Sequence, residues 1–267
     1  MYIRCLWSDQ LEVRPNIAQP SARQDAAKGG LNDLPRRASN IEEEIAPLPS
    51  ANVSSYNGVP SSQIQPVYKT AYSLRFLRPG TGTIVEITRT SLDESIVAAI
   101  LEGALRVLPP DNTPDGIVKR KQEMALKAAH ATRAESAFVE DLRRLRPMLL
   151  DEHEQQQKIR AAIEQGRHDI IKCTPDALFD LPVHFGGFLC HWVEYKNTFG
   201  FKQNPFLHRQ HKKQLVRYAE TFGPGMVVFK LGFESNLFNI AGLCCFREKE
   251  ARYWVDQAVS AESKANQ

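Results

Sequence analysis

Cysteine is scarce in this sequence: five in 267 residues, at Cys5, Cys173, Cys190, Cys244 and Cys245. An odd, irregularly spaced set does not make a disulfide framework, and no CxxC pair offers the spacing of a structural zinc site. Reduced, buried thiols of an intracellular chain are the expectation. Apolar runs long enough to cross a bilayer are absent, so no membrane role is expected. The opening stretch MYIRCLWSDQLEVR has no extended apolar core, and no secretory leader is expected either. A dominant charge is missing too: 34 Lys+Arg against 31 Asp+Glu leave a formal net charge of +3. That balance is too mild to imply nucleic acid by itself. The pairs Arg36-Arg37 and Lys212-Lys213 are short for an import signal, so nucleus and cytoplasm both stay open as locations.

What is present divides the chain unevenly. Residues 1–67 are rich in proline and polar residues and lack apolar periodicity, which predicts a disordered tail. Residues 68–130 read as a small helical region. Ile84–Ile87 suggests a short strand there. Ser91–Glu94 suggests a capping box ahead of the helical stripe Ile96, Val97, Ile100, Leu101, Leu105 and Leu108, ended by Pro109-Pro110. A long helix from Asp115 towards Leu145, stopped by Pro147, leads into the main domain, residues 131–255. A polar helix over Asp151–Gln165 follows. Strands over Ala177–Val183 and Phe188–Lys196 flank Gly186-Gly187, the dipeptide a two-residue hairpin turn requires. A helix from about Pro205 to Phe222, strands at Met226–Leu231 and Ala241–Phe246, and a C-terminal tail over 256–267 complete the plan. The fold class is α/β, with one mixed central sheet flanked by helices.

The hairpin carries the chemistry. Alternation along a strand points Glu194 and Lys196 one way and Tyr195 the other. With Gly186-Gly187 as the turn, Lys196 falls opposite Ala177 and next to Asp176, unless a bulge shifts the register. Two carboxylates attract a hard cation such as Mg²⁺ or Mn²⁺. Such an ion acidifies a water and offsets charge on a phosphate. The lysine orients the water or steadies the phosphate. An isolated ExK is usually a solvated ion pair; the upstream Pro-Asp and the hairpin between them raise its weight. Gln214 and Tyr218, four apart, share a helix face. Lys202, Arg209, Lys212, Lys213 and Arg217 gather nearby as candidate contacts to a phosphate backbone. On the long helix Glu135 is preferred to Glu140 as a third acid. A zinc site from Cys190, His191, His208 and His211 is disfavoured, because Cys190 and His191 point to opposite faces.

The TPD at Thr174–Asp176, the EYK at Glu194–Lys196 and the Q-x-x-x-Y at Gln214–Tyr218 resemble the PD-(D/E)xK nuclease superfamily. More narrowly, TPDALFDLPV, HWVEYKNTFG and RYAETFGPGMVVFKLGF resemble the TPD-motif family, which includes codanin-interacting nucleases of animals. The resemblance runs from about Ser91 to Phe246. It implies a restriction-endonuclease-like core, with Asp176 and Glu194 as metal ligands joined by Glu135. It makes Lys196 and Gln214 catalytic and Tyr218 the companion of Gln214, near nucleic acid. It further implies a Mg²⁺- or Mn²⁺-dependent hydrolase acting on DNA more readily than RNA, and a codanin-type protein partner. The competing reading is an interaction module that keeps the nuclease fold without activity. Tyr195 stands where the family pattern has a small residue, and the basic run Lys202–Lys213 has no counterpart in that pattern.

Overall fold

In the computed structural model, residues 57–167, 173–204 and 211–265 are described. The expected tail up to residue 56, together with His208 and Arg209, lies outside them. Helix α1 (Ser61–Ser73) begins ahead of Tyr68, and a short 3-10 turn at Arg75–Leu77 follows it. The expected strand at Ile84–Ile87 is instead part of a helix, α2 (Thr81–Thr88). Helical spacing buries Ile84 completely and leaves Ile87 56% exposed, so packing on one side overrides strand-forming composition. Helix α3 (Glu94–Leu105) is capped by Asp93, which accepts from the Ser95 amide at 2.9 Å. The expected box at Ser91 is therefore shifted by two residues. Ile64, Val67, Ala71, Ile84, Val97 and Ile100 form the core of this helical region.

Helix α4 (Pro114–Leu145) has a Thr113 cap and proline at its first position. Arg146 leaves the helix in an extended conformation ahead of Pro147. Only Phe138, Val139, Leu142 and Leu145, all near its end, are buried. Helix α5 (Glu152–Glu164) opens with a reciprocal capping box: Glu154 N donates to Asp151 at 2.8 Å, and Asp151 N donates to the Glu154 carboxylate at 2.9 Å.

Five strands run β1-β2-β3-β4-β5 across one sheet: β1 (Leu150–Asp151), β2 (Ala177–Phe185), β3 (Phe188–Lys196), β4 (Gly225–Phe229) and β5 (Leu243–Arg247). The first two pairings are antiparallel and the last two parallel, giving the expected mixed sheet. Gly186 and Gly187 hold the hairpin turn at φ 56° and 85°. Near the turn the register is as expected, with Val183 opposite Cys190. Between Val183 and Leu178 it slips, so that Ala177 faces Val193 and not Lys196. Pro182, with no amide hydrogen to give the ladder, lies inside that irregularity. Helix α6 (Lys212–Phe222) packs on one sheet face, burying Leu215, Tyr218 and Phe222 against Leu178, Trp192 and Val227. Helices α4 and α7 (Glu248–Ala265) cover the other, where Phe138, Trp254 and Val255 meet Phe179, Val193 and Tyr195. Helix α7 occupies residues expected to form a C-terminal tail. Phe199 and Phe201, just beyond β3, enter the core of the helical region. No helix among the described residues is long and apolar enough to cross a membrane.

Candidate active site

Alternation along β3 sorts its side chains. Tyr195 goes to the α4 side, stacking on Phe138 at 5.2 Å and donating its hydroxyl to Glu248 at 2.8 Å. Glu194, fully buried, and Lys196 share the face that α6 covers. The slipped register brings Asp176 level with Glu194, because Ala177 already pairs with Val193. The bulge thus replaces the expected Lys196–Ala177 pairing with a closer meeting of the two acids.

Buried partners fix the turn that carries Asp176. The Gln155 amide donates to the carbonyls of Leu150 and Pro175, both at 2.9 Å. The Tyr218 hydroxyl donates to the Thr174 carbonyl at 2.8 Å and accepts from Gln214 Nε2 at 2.7 Å. Asp176 Oδ2 accepts from the Tyr195 amide at 2.6 Å. Glu194 Oε1 accepts from Lys196 Nζ at 2.5 Å and from Gln214 Nε2 at 3.3 Å. The remaining oxygens, Asp176 Oδ1 and Glu194 Oε2, are buried with no hydrogen-bond partner.

Two acids kept from water and from each other's neutralisation are costly. Burial first, then the Glu194 carboxylate, pushes the Asp176 carboxyl well above the usual range; Lys196 opposes this. Glu135 is raised for the same reasons in the same order. His211 is driven down to about 4 by burial and then by the Lys196 ammonium. Burial, followed by Glu194, holds the Tyr218 hydroxyl far above its ordinary value.

Among the described residues, the one group with metal-holding spacing is Glu135, Glu152 and Asp176, whose ligand oxygens lie within 4.8 Å of one another. Orphaned buried carboxylate oxygens and an all-oxygen donor set fit a hard divalent cation. Glu140 stands apart, its side chain 77% exposed beside Arg143. Of the zinc alternative, His208 lies outside the described residues, and Cys190 donates its thiol to the Trp192 carbonyl at 3.1 Å, buried on the α4 side.

Other expected contacts divide. Lys212, Lys213 and Arg217 are exposed on α6. Tyr218 is 3% exposed with its ring edge-on to Trp192, so it braces the site from the core and is no surface contact for nucleic acid. Lys202 is held inward: its amide donates to buried Glu234 at 2.6 Å and its ammonium to the Ser235 carbonyl at 3.1 Å. Glu152 and Gln155 are the site residues the sequence reading missed, and His211 was named there only among the nearby basic run and the disfavoured zinc ligands. His211 had a signal, since it sits three residues before Gln214 on the helix. Glu152 had none, because an acid at a helix start is ordinary.

Residues 136–246 match the family model described as "Protein of unknown function TPD sequence-motif". Curated relatives named "CDAN1-interacting nuclease 1" share short stretches with the chain. The zebrafish (Danio rerio) protein is 36% identical over 66 residues, 24% of this chain and 21% of that protein. The Xenopus tropicalis protein is 37% identical over 78 residues, 28% of this chain and 22% of its own length. The human (Homo sapiens) protein is 36% identical over 78 residues, 28% and 24%. The chain therefore spans about a quarter or less of the length of these relatives. No solved structure matches.

Proposed function

From the premise that residues 136–246 match the TPD sequence-motif family model, we propose that this chain is a metal-dependent nuclease of the PD-(D/E)xK type. The observation that carries the reading is the pair of orphaned, buried oxygens on Asp176 and Glu194, level with each other across the hairpin, with Lys196 beside them. Asp176, Glu135 and Glu152 would hold Mg²⁺ or Mn²⁺, and Glu194, level with Asp176, would offer a further oxygen to the site. Such an ion supplies an acidified water and neutralises charge growing on a phosphodiester.

The chain's own groups do the rest. Gln214 and Lys196 both bond Glu194 Oε1, which fixes the carboxylate and turns its other oxygen to the site. Gln155 and Tyr218 hold the Thr-Pro-Asp turn from either side. The Lys196 ammonium orients the attacking water or steadies the phosphate. Lys212, Lys213 and Arg217 suit a backbone track on α6, with DNA the favoured substrate. Relatives named as interacting with CDAN1 support a codanin-type partner, and the compartment proposed is the nucleus or the cytoplasm.

The test is a panel of labelled single-stranded, duplex and branched substrates with Mg²⁺ or Mn²⁺. Wild-type protein is expected to cleave at least one class. Lys196→Ala should abolish cleavage while binding stays nearly intact. Equal cleavage by both proteins, or none by wild type, would sink the reading.

A further inference from the structure

One end of the helical region keeps its rings in water. Tyr72, in the last turn of α1, is 40% exposed, and in the 3-10 turn that follows Phe76 is 71% and Leu77 78% exposed. Single apolar residues on a surface are ordinary, but neighbours exposed together form a patch. Arg75 is laid between two of the rings. Its guanidinium carbon lies 3.9 Å from the Tyr72 centroid and 4.4 Å from the Phe76 centroid. The same guanidinium donates to the Tyr72 carbonyl at 2.5 Å, which fastens the turn with Phe76 in solvent.

Charge narrows the occupant. Residues 59–85 contain no acid and three cations, Lys69, Arg75 and Arg78, and Lys69 and Arg78 are exposed. Asp111, the acid beside Arg78, is engaged by the Thr113 amide and hydroxyl at 2.9 and 2.8 Å. Arg78 also holds φ 48°, in the left-handed region where glycine or asparagine would sit with less strain. An arginine kept at such a position points to work for its side chain. An anion with flat apolar faces satisfies both halves of the patch. A polynucleotide strand with unpaired bases is such a molecule: its phosphates meet the cations and its base faces meet the rings. An intact duplex hides those faces and would use the cations alone.

A string of rings ties the patch to the catalytic strand. Phe199, just beyond Lys196 in the chain, meets Phe201 at 6.2 Å. Phe201 meets Tyr68 at 5.9 Å, and Tyr68 meets Tyr72 at 5.9 Å. Steps this short keep the patch within reach of a strand that lies on Lys196. The geometry points to a stacking platform for unpaired bases, formed by Tyr72, Arg75, Phe76, Leu77 and Arg78 and separate from the basic side of α6. It rests on the nuclease reading above and gives that site its substrate class: a strand with single-stranded bases near the scissile bond, in place of an unbroken duplex.

The deciding experiment binds the full chain to a short DNA single strand carrying 2-aminopurine, and to the matching duplex, in EDTA so that nothing is cut. Fluorescence anisotropy reads affinity, and quenching of 2-aminopurine reads stacking. Phe76 is a surface residue, so Phe76→Ala should fold as wild type does. It should lose the quenching and bind the single strand about tenfold more weakly, in the lower range of base–aromatic stacking. Its duplex affinity and its salt slope should not change. Phe76→Trp should keep the quenching and the affinity. Arg78→Gln should instead make the salt slope for the single strand shallower by about 0.7. Unchanged quenching and affinity in Phe76→Ala overturn the platform. Equal weakening on both probes, equal competition by a polyglutamate peptide, or no binding of the single strand by wild type also overturns it. Where wild type cleaves in the Mg²⁺ or Mn²⁺ panel, that failure leaves the nuclease reading standing. Quenching lost in Phe76→Ala, with a wild type that cleaves nothing, keeps the platform and overturns the nuclease reading.

Discussion

Lys196 and Gln214 converge on the same oxygen of Glu194, and that asymmetry shows which residues the sequence could reveal. Asp176, Glu194 and Lys196 were legible because strand alternation alone puts an acid and a lysine two apart on one face. The role of Tyr195 followed from the same rule. Glu152 was not legible: its place depends on a two-residue strand pairing with β2, which no periodicity announces. His211 yields a prediction at this scale. Its folded pKa of about 4 lies below the ordinary 6.5, so between those values the folded state binds fewer protons than the unfolded one. Stability contributed above pH 6.5 is lost as pH falls through about 4. Calorimetry of wild type and His211→Gln across that window should show wild type losing more. The gap should be about 5–10 °C at pH 4.5, the shift given by ~2.5 kcal/mol of linkage in a chain of this size. Parallel pH profiles would show that His211 is not kept neutral by its surroundings.

Elements with a strong period and clear punctuation were readable: α4 between Pro114 and Pro147, α5 behind its capping box, and the hairpin around Gly186-Gly187. Elements set by tertiary contact were not. Ile84-Val85-Glu86-Ile87 has the composition of a strand, yet one buried position in four makes it helical. The hairpin register near the site was displaced by an irregularity that the sequence marks only with Pro182. Helix α7 was missed because its apolar face, Ala251, Trp254, Val255 and Ala258, is sparse among charges. Helix α6 carries the prediction at this scale. It buries Leu215, Tyr218 and Phe222 and leaves Lys212 and Lys213 exposed. If that exposed side tracks a phosphate backbone, Lys212→Ala with Lys213→Ala should weaken DNA binding and make the slope of log affinity against log salt shallower by about one to two. Fluorescence anisotropy at several salt concentrations measures it, and an unchanged slope would remove α6 from the interface.

The whole molecule joins its helical region to its sheet along a seam that buries Glu234. Beyond Lys196 the chain sends Phe199 and Phe201 into the core of the helical region, where the Phe201 ring lies so near Gly103 that a methyl there would come within 2.8 Å. Val59 donates to the Phe233 carbonyl at 2.7 Å, and Ser235 donates back to Val59 at 2.8 Å. Ser61 and Lys202 both engage buried Glu234. Phe201→Ala, a large-to-small change at a fully buried position, should cost about 3–5 kcal/mol. Limited proteolysis should then cut first within α1–α3, while fragments containing the sheet persist. Simultaneous loss of both parts would show one cooperative unit instead. Helix α4 joins the same two regions. Its 32 residues span about 48 Å, and only the final stretch is clamped by the sheet. Glu135 rides three residues ahead of that clamp, at the fulcrum of a long stiff lever. A load on the far arm would reach the Glu135 carboxylate, and through it the acidic cluster, without touching the sheet.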